Sequence, residues 1–128
     1  MSSSISQFLP MNVAVLTVSD TRDEASDSSG SYLCEQLTAK GHVVYERKIV
    51  IDDVYLMRAS VSQWIADPKV HCVVSTGGTG FTGRDSTPEA LRPLFDKQID
   101  GFGELFRYLS LSDIGTSTVQ SRAFAGVA

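Results

Sequence analysis

The chain has 128 residues, of which 42% are hydrophobic, so it can form one domain around a single core. Lys and Arg total 11 against 15 Asp and Glu, giving a net charge of −4 without a basic cluster, which argues against nucleic acid as a partner. Residues 1–10 lack the charged start and long apolar core of a secretory signal, and no apolar run is long enough to cross a bilayer. We therefore expect a soluble, cytoplasmic protein with no membrane partner.

Two regions are expected along the chain. Residues 1–10 are serine-rich and predict a flexible N-terminal segment, and residues 11–128 predict a single domain. The two cysteines, Cys34 and Cys72, lie in apolar segments without a C-x-x-C or zinc-binding spacing. This placement favours buried free thiols in a reducing compartment.

A continuous apolar run at Val13–Val18 predicts the central strand of a parallel sheet. Ser19 and Asp20 follow at its carboxyl end and open a polar loop. Taken alone, this loop is explained as well by solvation as by function. Loops at the carboxyl ends of parallel strands build the sites of α/β proteins, however, so we expect it to lie beside the site.

A helix capped by Ser28 or Ser29 is predicted next, and the β-rich residues 43–51 predict a second strand. That strand ends in two acids, Asp52 and Asp53. Either acid can serve as the N-cap of the following helix or as a ligand.

Apolar residues at helical spacing from Val54 predict an amphipathic helix that ends at Asp67-Pro68. Trp64 continues this apolar stripe, which favours a core position over a stacking platform. His42 and His71 flank strand starts on the edge opposite the expected site, and we interpret both as structural or exposed.

The most informative stretch is residues 73–88, VVSTGGTGFTGRDSTP, which begins with a short, uncharged run typical of a buried third strand. Three glycines follow, Gly77, Gly78 and Gly80, which permit positive φ and a close approach of the backbone to a ligand. Asp85 lies between this turn and the next helix, where a phosphate or a metal ion can sit. A strand, a glycine turn and a helix start together predict an anion pocket.

The rest of the chain predicts two helices and a strand. Thr87 is predicted to cap a helix with Pro88 at its first position. Residues 102–109 carry another helical apolar stripe, which Gly115 is expected to end, and residues 123–128 predict the opening of one more strand. The βαβαβ order implies an α/β fold, with a parallel sheet and helices on both faces.

Asp52 and Asp85 are the candidate catalytic acids because both are predicted at the same edge of the sheet. They could share a Mg²⁺ ion, which favours one or two carboxylates together with substrate phosphate oxygens. That arrangement suits phosphoryl or nucleotidyl transfer, in which catalysis is mainly positioning and charge neutralisation. The alternative for Asp52 is a helix cap. Covalent hydrolysis is disfavoured because no Ser-His-Asp or Cys-His arrangement is apparent.

Four stretches together resemble the molybdopterin-binding MoaB/MogA family of molybdenum cofactor biosynthesis: STGGTGFTGRDSTPEAL, the VSD after the first strand, DGFGELFR, and the GTSTVQSRAFAG tail. The resemblance runs from about Met11 to the last residue, and the opening and the QSRAFAG ending are closer to MoaB than to MogA. It implies a three-layer αβα sandwich with a mostly parallel sheet, assembled as a trimer or hexamer. Family members continue past Ala128 with a strand, a Pro-Gly-Ser loop and a helix, so the resemblance also implies that this chain is C-terminally truncated relative to the family.

For function, the resemblance implies that the chain binds molybdopterin and adenylylates it with MgATP, releasing pyrophosphate. The alternative is a non-catalytic oligomeric carrier or scaffold for molybdopterin. Fold analogy alone also leaves open a phosphosugar or mononucleotide domain of flavodoxin-like type.

Site residues carried over by the resemblance comprise two acids and a set of substrate contacts. Asp85 and Asp52 are expected to be catalytic and to hold Mg²⁺ through ATP, and no tightly bound cofactor is expected. Glu104 and Arg122 belong to family signatures and are also assigned to the site, although from the residues alone they are a helix-start acid and an ion-pair partner. The expected substrate-binding residues lie at strand ends and in the glycine turn: Ser19, Asp20, Ser75, Thr76, Gly77, Gly78, Thr79, Gly80 and Ser86.

Overall fold

The computed structural model describes residues 7–78, 85–114 and 122–128. Strands and helices alternate through the first three strands, as predicted. The elements are β1 (Asn12–Val18), α1 (Ser28–Ala39), β2 (Val43–Val50), α2 (Val54–Ala66), β3 (Cys72–Thr76), α3 (Thr87–Leu91), a 3₁₀ turn (Arg92–Leu94), β4 (Lys97–Gln98), α4 (Asp100–Ile114) and β5 (Gly126–Val127). None of the helices within these ranges has the length and apolar character needed to span a bilayer.

The first three strands form a parallel sheet in the order β2-β1-β3. Residues Val13–Val18 of β1 are all buried, which confirms β1 as the central strand. Thr17 lies opposite Ile49 of β2 and Thr76 of β3 in the strand register. The carboxyl ends of the three strands therefore meet at one edge, which places the segments after them side by side.

Helices cover both faces of this sheet. Arg47 of β2 contacts Asp27 at the start of α1, whereas the preceding residue Glu46 accepts a hydrogen bond from Trp64 of α2. Successive side chains of a strand point to opposite faces, so α1 and α2 lie on opposite sides of the sheet. The predicted three-layer α/β arrangement is confirmed.

The main core lies between the sheet, α2 and α3. Trp64 is 1% exposed, which confirms its predicted core position, and its indole Nε1 donates to Glu46 at 2.6 Å. Burying one large apolar side chain contributes about 1.5–3 kcal/mol, so the buried side chains of this cluster stabilise the packing of α2 and α3 on the sheet. The cluster consists of Ala14, Leu16, Val18, Met57, Val61, Trp64, Ala90 and Leu91.

At the opposite edge of the sheet, both histidines accept backbone hydrogen bonds. His42 Nδ1 accepts from the Met11 amide at 3.1 Å, and His71 Nδ1 accepts from the Asn12 amide at 2.9 Å. Both side chains therefore fix the start of β1, which agrees with the structural role inferred from the sequence.

The last strand belongs to a second, smaller sheet. A strand was expected at 123–128, and β5 lies there, but it pairs antiparallel with β4, which the sequence did not predict. An added Cβ at Gly126 would lie 2.2 Å from the ring of Phe95, so β5 packs closely on that ring. The predicted helix end at Gly115 lies outside the described residues.

Two predicted helix caps are wrong. Asp27, not Ser28 or Ser29, caps α1, because its carboxylate accepts from the Gly30 amide at 3.0 Å. Thr87 is the first residue of α3 and not its cap; the N-cap residue is Ser86, whose side chain makes no capping hydrogen bond. Both Thr87 and Ser86 use their hydroxyl groups elsewhere, in the candidate site.

Candidate functional site

The two acids after β2 have different roles. Asp53 accepts from the amides of Tyr55 at 2.9 Å and Leu56 at 3.0 Å, which makes it the N-cap of α2. Asp52 is 7% exposed, and its carboxylate accepts from the amide of Ser86 at 3.2 Å and from the Ser86 hydroxyl. The structure thus assigns the cap to Asp53 and turns the carboxylate of Asp52 towards the segment that enters α3.

The loop after β1 joins this arrangement through Asp20. The Asp20 Oδ1 atom accepts from the backbone amide of Asp52 at 2.9 Å. Ser19 fixes the turn itself, because its hydroxyl oxygen accepts from the amides of Thr21 at 3.3 Å and Arg22 at 3.1 Å. Ser19 and Asp20 therefore lie at the predicted sheet edge, with Asp20 exposed and bonded to the segment after β2.

The start of the glycine turn packs tightly between β1 and α3. Gly77 and Gly78 have φ angles of +95° and +71°. An added Cβ at Gly77 would lie 2.2 Å from the carbonyl oxygen of Val18, and one at Gly78 would lie 2.1 Å from Thr87 Oγ1. Packing alone therefore requires glycine at both positions, independently of any ligand.

Thr87 ties the turn to α3. This residue is fully buried; its hydroxyl donates to the Gly77 carbonyl at 3.0 Å, and its amide donates to the Gly78 carbonyl at 2.9 Å. In a trans peptide, the C=O of one residue and the N–H of the next residue point in opposite directions. Because the Gly77 carbonyl points towards Thr87, the Gly78 N–H points away from α3. The turn therefore directs the Gly78 N–H away from its contacts with Thr87.

Asp52 and Asp85 are brought to the same place although they are far apart in sequence. Asp85 directly precedes Ser86, whose backbone and hydroxyl bind Asp52 across 34 positions. The Asp85 backbone carbonyl also accepts from the guanidinium of Arg122. Arg122 is therefore located at the site, whereas no contact within the described ranges connects exposed Glu104 of α4 with it.

Of the remaining residues predicted to contact substrate, two lie at the end of β3 and two lie outside the described residues. Ser75 and Thr76 are the last residues of β3, half-buried and paired with Leu16 and Thr17 of β1. Thr79 and Gly80 lie outside the described residues.

Sequence reasoning missed a buried polar network on the α1 face of the sheet. Asp27 is 1% exposed and accepts from the Thr17 hydroxyl at 2.7 Å and from Arg47 at 3.0 Å. Burial raises the pKa of Asp27, but the hydrogen bonds from Thr17 and Gly30 and the Arg47 guanidinium outweigh it, so the pKa is lowered overall. The threonine inside an otherwise aliphatic strand was the available signal.

A cavity of about 380 Å³ lies beside this network and includes none of the predicted site residues. It is lined by Arg22, Asp23, Glu24, Arg47 and Ile49.

The donor atoms of the site suit a hard cation brought by a ligand. Asp52 and Ser86 present carboxylate and hydroxyl oxygens, next to Asp85 in the chain. Mg²⁺ is commonly held by one or two carboxylates together with substrate phosphate oxygens and water. In the part of the chain that the structure describes, no group of three or more Asp, Glu, His or Cys is placed to hold a metal ion. These donors fit a Mg²⁺ only with further ligands from bound phosphate oxygens or water.

Comparison with protein families gives one match over nearly the whole chain. Residues 14–127 match the family described as "Probable molybdopterin binding domain". "Molybdenum cofactor biosynthesis protein B" of Escherichia coli K12 is 52% identical over 128 residues, which cover all of this chain and 75% of that protein. The chain thus spans about three quarters of the length of this relative.

Solved structures of related proteins share the fold. A crystal structure of Molybdenum cofactor biosynthesis protein B aligns with a TM-score of 0.89 and 44% identity, covering 93% of this chain and 74% of that one. The tungsten cofactor synthesizing protein MoaB from Pyrococcus furiosus aligns with a TM-score of 0.80 and 40% identity, with the same coverage of 93% and 74%.

Proposed function

Because the chain belongs to the molybdenum cofactor biosynthesis family with its probable molybdopterin-binding domain, we propose that it binds molybdopterin where β1, β2 and β3 end and adenylylates it with MgATP. The observation that carries this proposal is the bond from Ser86, the residue that follows Asp85, to the carboxylate of Asp52, which places both candidate acids at the same end of the sheet. An acidic pair beside a glycine turn repels phosphate groups unless a cation lies between them. This favours a substrate that brings a cation, such as MgATP.

In the proposed reaction, an oxygen of the terminal phosphate of molybdopterin forms a bond to the α-phosphorus of ATP. The bond from that phosphorus to the oxygen bridging to the β-phosphate breaks, and pyrophosphate leaves with the electron pair. No protein nucleophile is needed, so the role of the chain is to align two phosphate groups and to balance their charge. The Gly78 N–H, which points away from α3, supplies a donor of the kind that binds phosphate oxygens.

Mg²⁺ would enter bound to ATP and would be held by Asp85 and Asp52. When bound, it neutralises charge on the phosphates. Asp20 orients the backbone of Asp52 through its 2.9 Å hydrogen bond, and Ser86 orients the carboxylate. These contacts set the direction of one acid before any ligand arrives.

Pyrophosphate release from MgATP in the presence of molybdopterin tests the proposal. In Asp85→Asn we expect turnover to fall by about 100-fold or more, because an acid that balances phosphate charge is lost, while molybdopterin affinity changes by less than about threefold. Asp96→Asn is the matched control, since Asp96 is an exposed acid before β4, and it should keep both properties. Full turnover in Asp85→Asn would contradict the assignment.

A specific observation favours the alternative of a non-catalytic molybdopterin carrier. The Asp52 carboxylate is 7% exposed and already accepts two hydrogen bonds from Ser86, as expected for an acid that holds a loop in place. For a carrier, we expect saturable molybdopterin binding without pyrophosphate release at any MgATP concentration. Turnover by the unmodified chain would exclude this alternative.

We also propose that the chain forms a homo-oligomer, a trimer or hexamer, through α4. Phe102, Leu105, Phe106 and Leu109 form an apolar stripe at helical spacing and are 45–61% exposed. Light scattering should give three or six times the 13.9 kDa chain mass. Leu105→Glu should reduce that mass, whereas Tyr32→Glu, on α1 and similarly exposed at 62%, should not.

A further inference from the structure

Arg122 reaches back from the last described segment to the entry of α3. One guanidinium nitrogen donates to the carboxylate of Glu89, and the other donates to the backbone carbonyl of Asp85. These acceptors lie 33 and 37 positions away in the sequence. Because a guanidinium is planar and holds its donors in a fixed fork, the two bonds fix the spacing between Asp85 and the first turn of α3.

The same short segment is held on its other side by the loops that follow β2 and β3. The Ser86 amide donates to Asp52 at 3.2 Å, and the Thr87 amide donates to the Gly78 carbonyl at 2.9 Å. Asp85 therefore lies between these loops and Arg122, which bonds its carbonyl. Without Arg122, the Asp85 carbonyl would lose this bond from the C-terminal segment.

The segment that carries Arg122 is itself anchored. The Asp96 amide donates to the Val127 carbonyl at 2.7 Å, and the rings of Phe95 and Phe124 lie 5.7 Å apart. Phe124 also packs against the main core. Arg122 thus projects from a fixed base, which is a requirement for positioning another residue.

The ion pair of Arg122 with Glu89 does not explain the arrangement by itself. The Glu89 side chain is 54% exposed and that of Arg122 is 20% exposed. Pairs at the surface contribute only about 0–1 kcal/mol to stability. The hydrogen bond from Arg122 lowers the pKa of Glu89, which favours its ionised form, but the contribution of this exposed pair to folding is small.

We propose that Arg122 is a positioning residue for Asp85, held in place by Glu89 and acting on the reaction through the Asp85 backbone. This inference rests on the function proposed above. It also assigns a role to the small β4–β5 sheet, because this sheet holds the C-terminal segment in which Arg122 lies.

Arg122→Lys is the direct test, because lysine keeps the charge but cannot serve both acceptors with a planar fork. We expect kcat for pyrophosphate release to fall by about tenfold or more, since small displacements of reacting groups are costly. The dissociation constant for molybdopterin should change by less than about twofold, because in this proposal Arg122 acts through its bonds to Glu89 and to the Asp85 backbone. Arg122→Ala should lower kcat further.

Arg58→Lys is the matched control. Arg58 also binds α3 through backbone carbonyls, with Nε donating to Ala90 at 2.8 Å and a terminal nitrogen donating to Glu89 at 3.2 Å. Both acceptors lie within α3 and not at Asp85. Replacement of Arg58 should therefore lower the melting temperature but leave kcat within about twofold of wild type. A kcat in Arg122→Lys that also stays within about twofold of wild type would overturn the inference, whatever its effect on stability.

Hydrogen exchange at the amides of Ser86 and Thr87 separates this inference from the proposed function. If the unmodified chain releases no pyrophosphate, the proposed function fails and exchange alone decides the role of Arg122. Exchange at least about fivefold faster in Arg122→Ala than in Arg58→Lys would support positioning of this segment, because these amides bind Asp52 and Gly78. Equal exchange in the two variants would overturn it.

Discussion

Replacing Asp52 with Asn should lower turnover far more than stability, whereas the same replacement at Asp53 should leave both nearly unchanged. The two variants remove the same charge at adjacent positions. Asp53 caps α2 through hydrogen bonds at 2.9 and 3.0 Å, and Asn is about as good an N-cap as Asp. Asp52 instead binds Ser86 at the candidate site.

The cost at Asp52 can be worked from its contacts. Its carboxylate accepts two bonds from Ser86, and a bond to a charged group contributes about 1 kcal/mol more than a neutral one. This loss of about 2 kcal/mol is partly offset because the variant no longer buries a charge that is 7% exposed. A net loss of about 1 kcal/mol corresponds to a melting temperature lower by about 4 °C for a domain of this size.

Urea unfolding and pyrophosphate release, measured on the same samples, check both parts. Loss of a charge that neutralises phosphates should reduce turnover by about 100-fold in Asp52→Asn. Asp53→Asn should stay within about threefold of wild type. Equal turnover losses in the two variants, or unchanged turnover in Asp52→Asn, would refute the separate roles assigned to these acids.

Two further changes test the packing around the site, and a third tests the buried polar network on the α1 face. Thr87→Val leaves the Gly77 carbonyl without its buried donor and should cost about 1–3 kcal/mol in urea unfolding, whereas Thr87→Ser should cost less. Gly78→Ala should destabilise strongly in the same assay because its Cβ would lie 2.1 Å from Thr87 Oγ1, whereas Gly101→Ala in α4 meets nothing within 4 Å and should be neutral or stabilising. The pKa of Asp27 in the folded state lies below its ordinary value of 3.8. Its contribution to stability is therefore complete above pH 3.8 and is lost as the pH falls through the folded-state pKa. Asp27→Asn should reduce the loss of stability on acidification, and an unchanged acid transition would contradict this.

Elements with strong local patterns were predictable from the sequence. The apolar run of β1 predicted a central strand, because a strand buried on both faces is apolar at every position. The apolar stripe containing Trp64 predicted a core-facing helix, because a helix buried on one face has apolar residues at helical spacing. The glycines at 77 and 78 were also interpreted from residue type as positions that permit positive φ, and both have positive φ angles.

Cap assignments failed where several short polar residues lay together. Ser28, Ser29 and Asp27 can all cap a helix, and Asp27 does so because Thr17 and Arg47 also bind its carboxylate across the sheet. The weak strand β4 was missed for a related reason. It has two residues, and it is defined by pairing with β5 and not by its own composition.

The sequence by itself determined the order of the strands and helices apart from β4, the glycine turn and the acids available near it, because these depend on residue type and short-range periodicity. Only the tertiary structure decided that Asp53 caps α2, that Asp52 binds Ser86, and that Arg122 holds the backbone of Asp85. For the last two, the physical reason is distance along the chain; for the first, two adjacent acids are equally able to cap a helix, so their contacts decide. The last two contacts join residues 34 and 37 positions apart, so their formation depends on how the sheet and α3 pack and on where the β4–β5 sheet places the end of the chain.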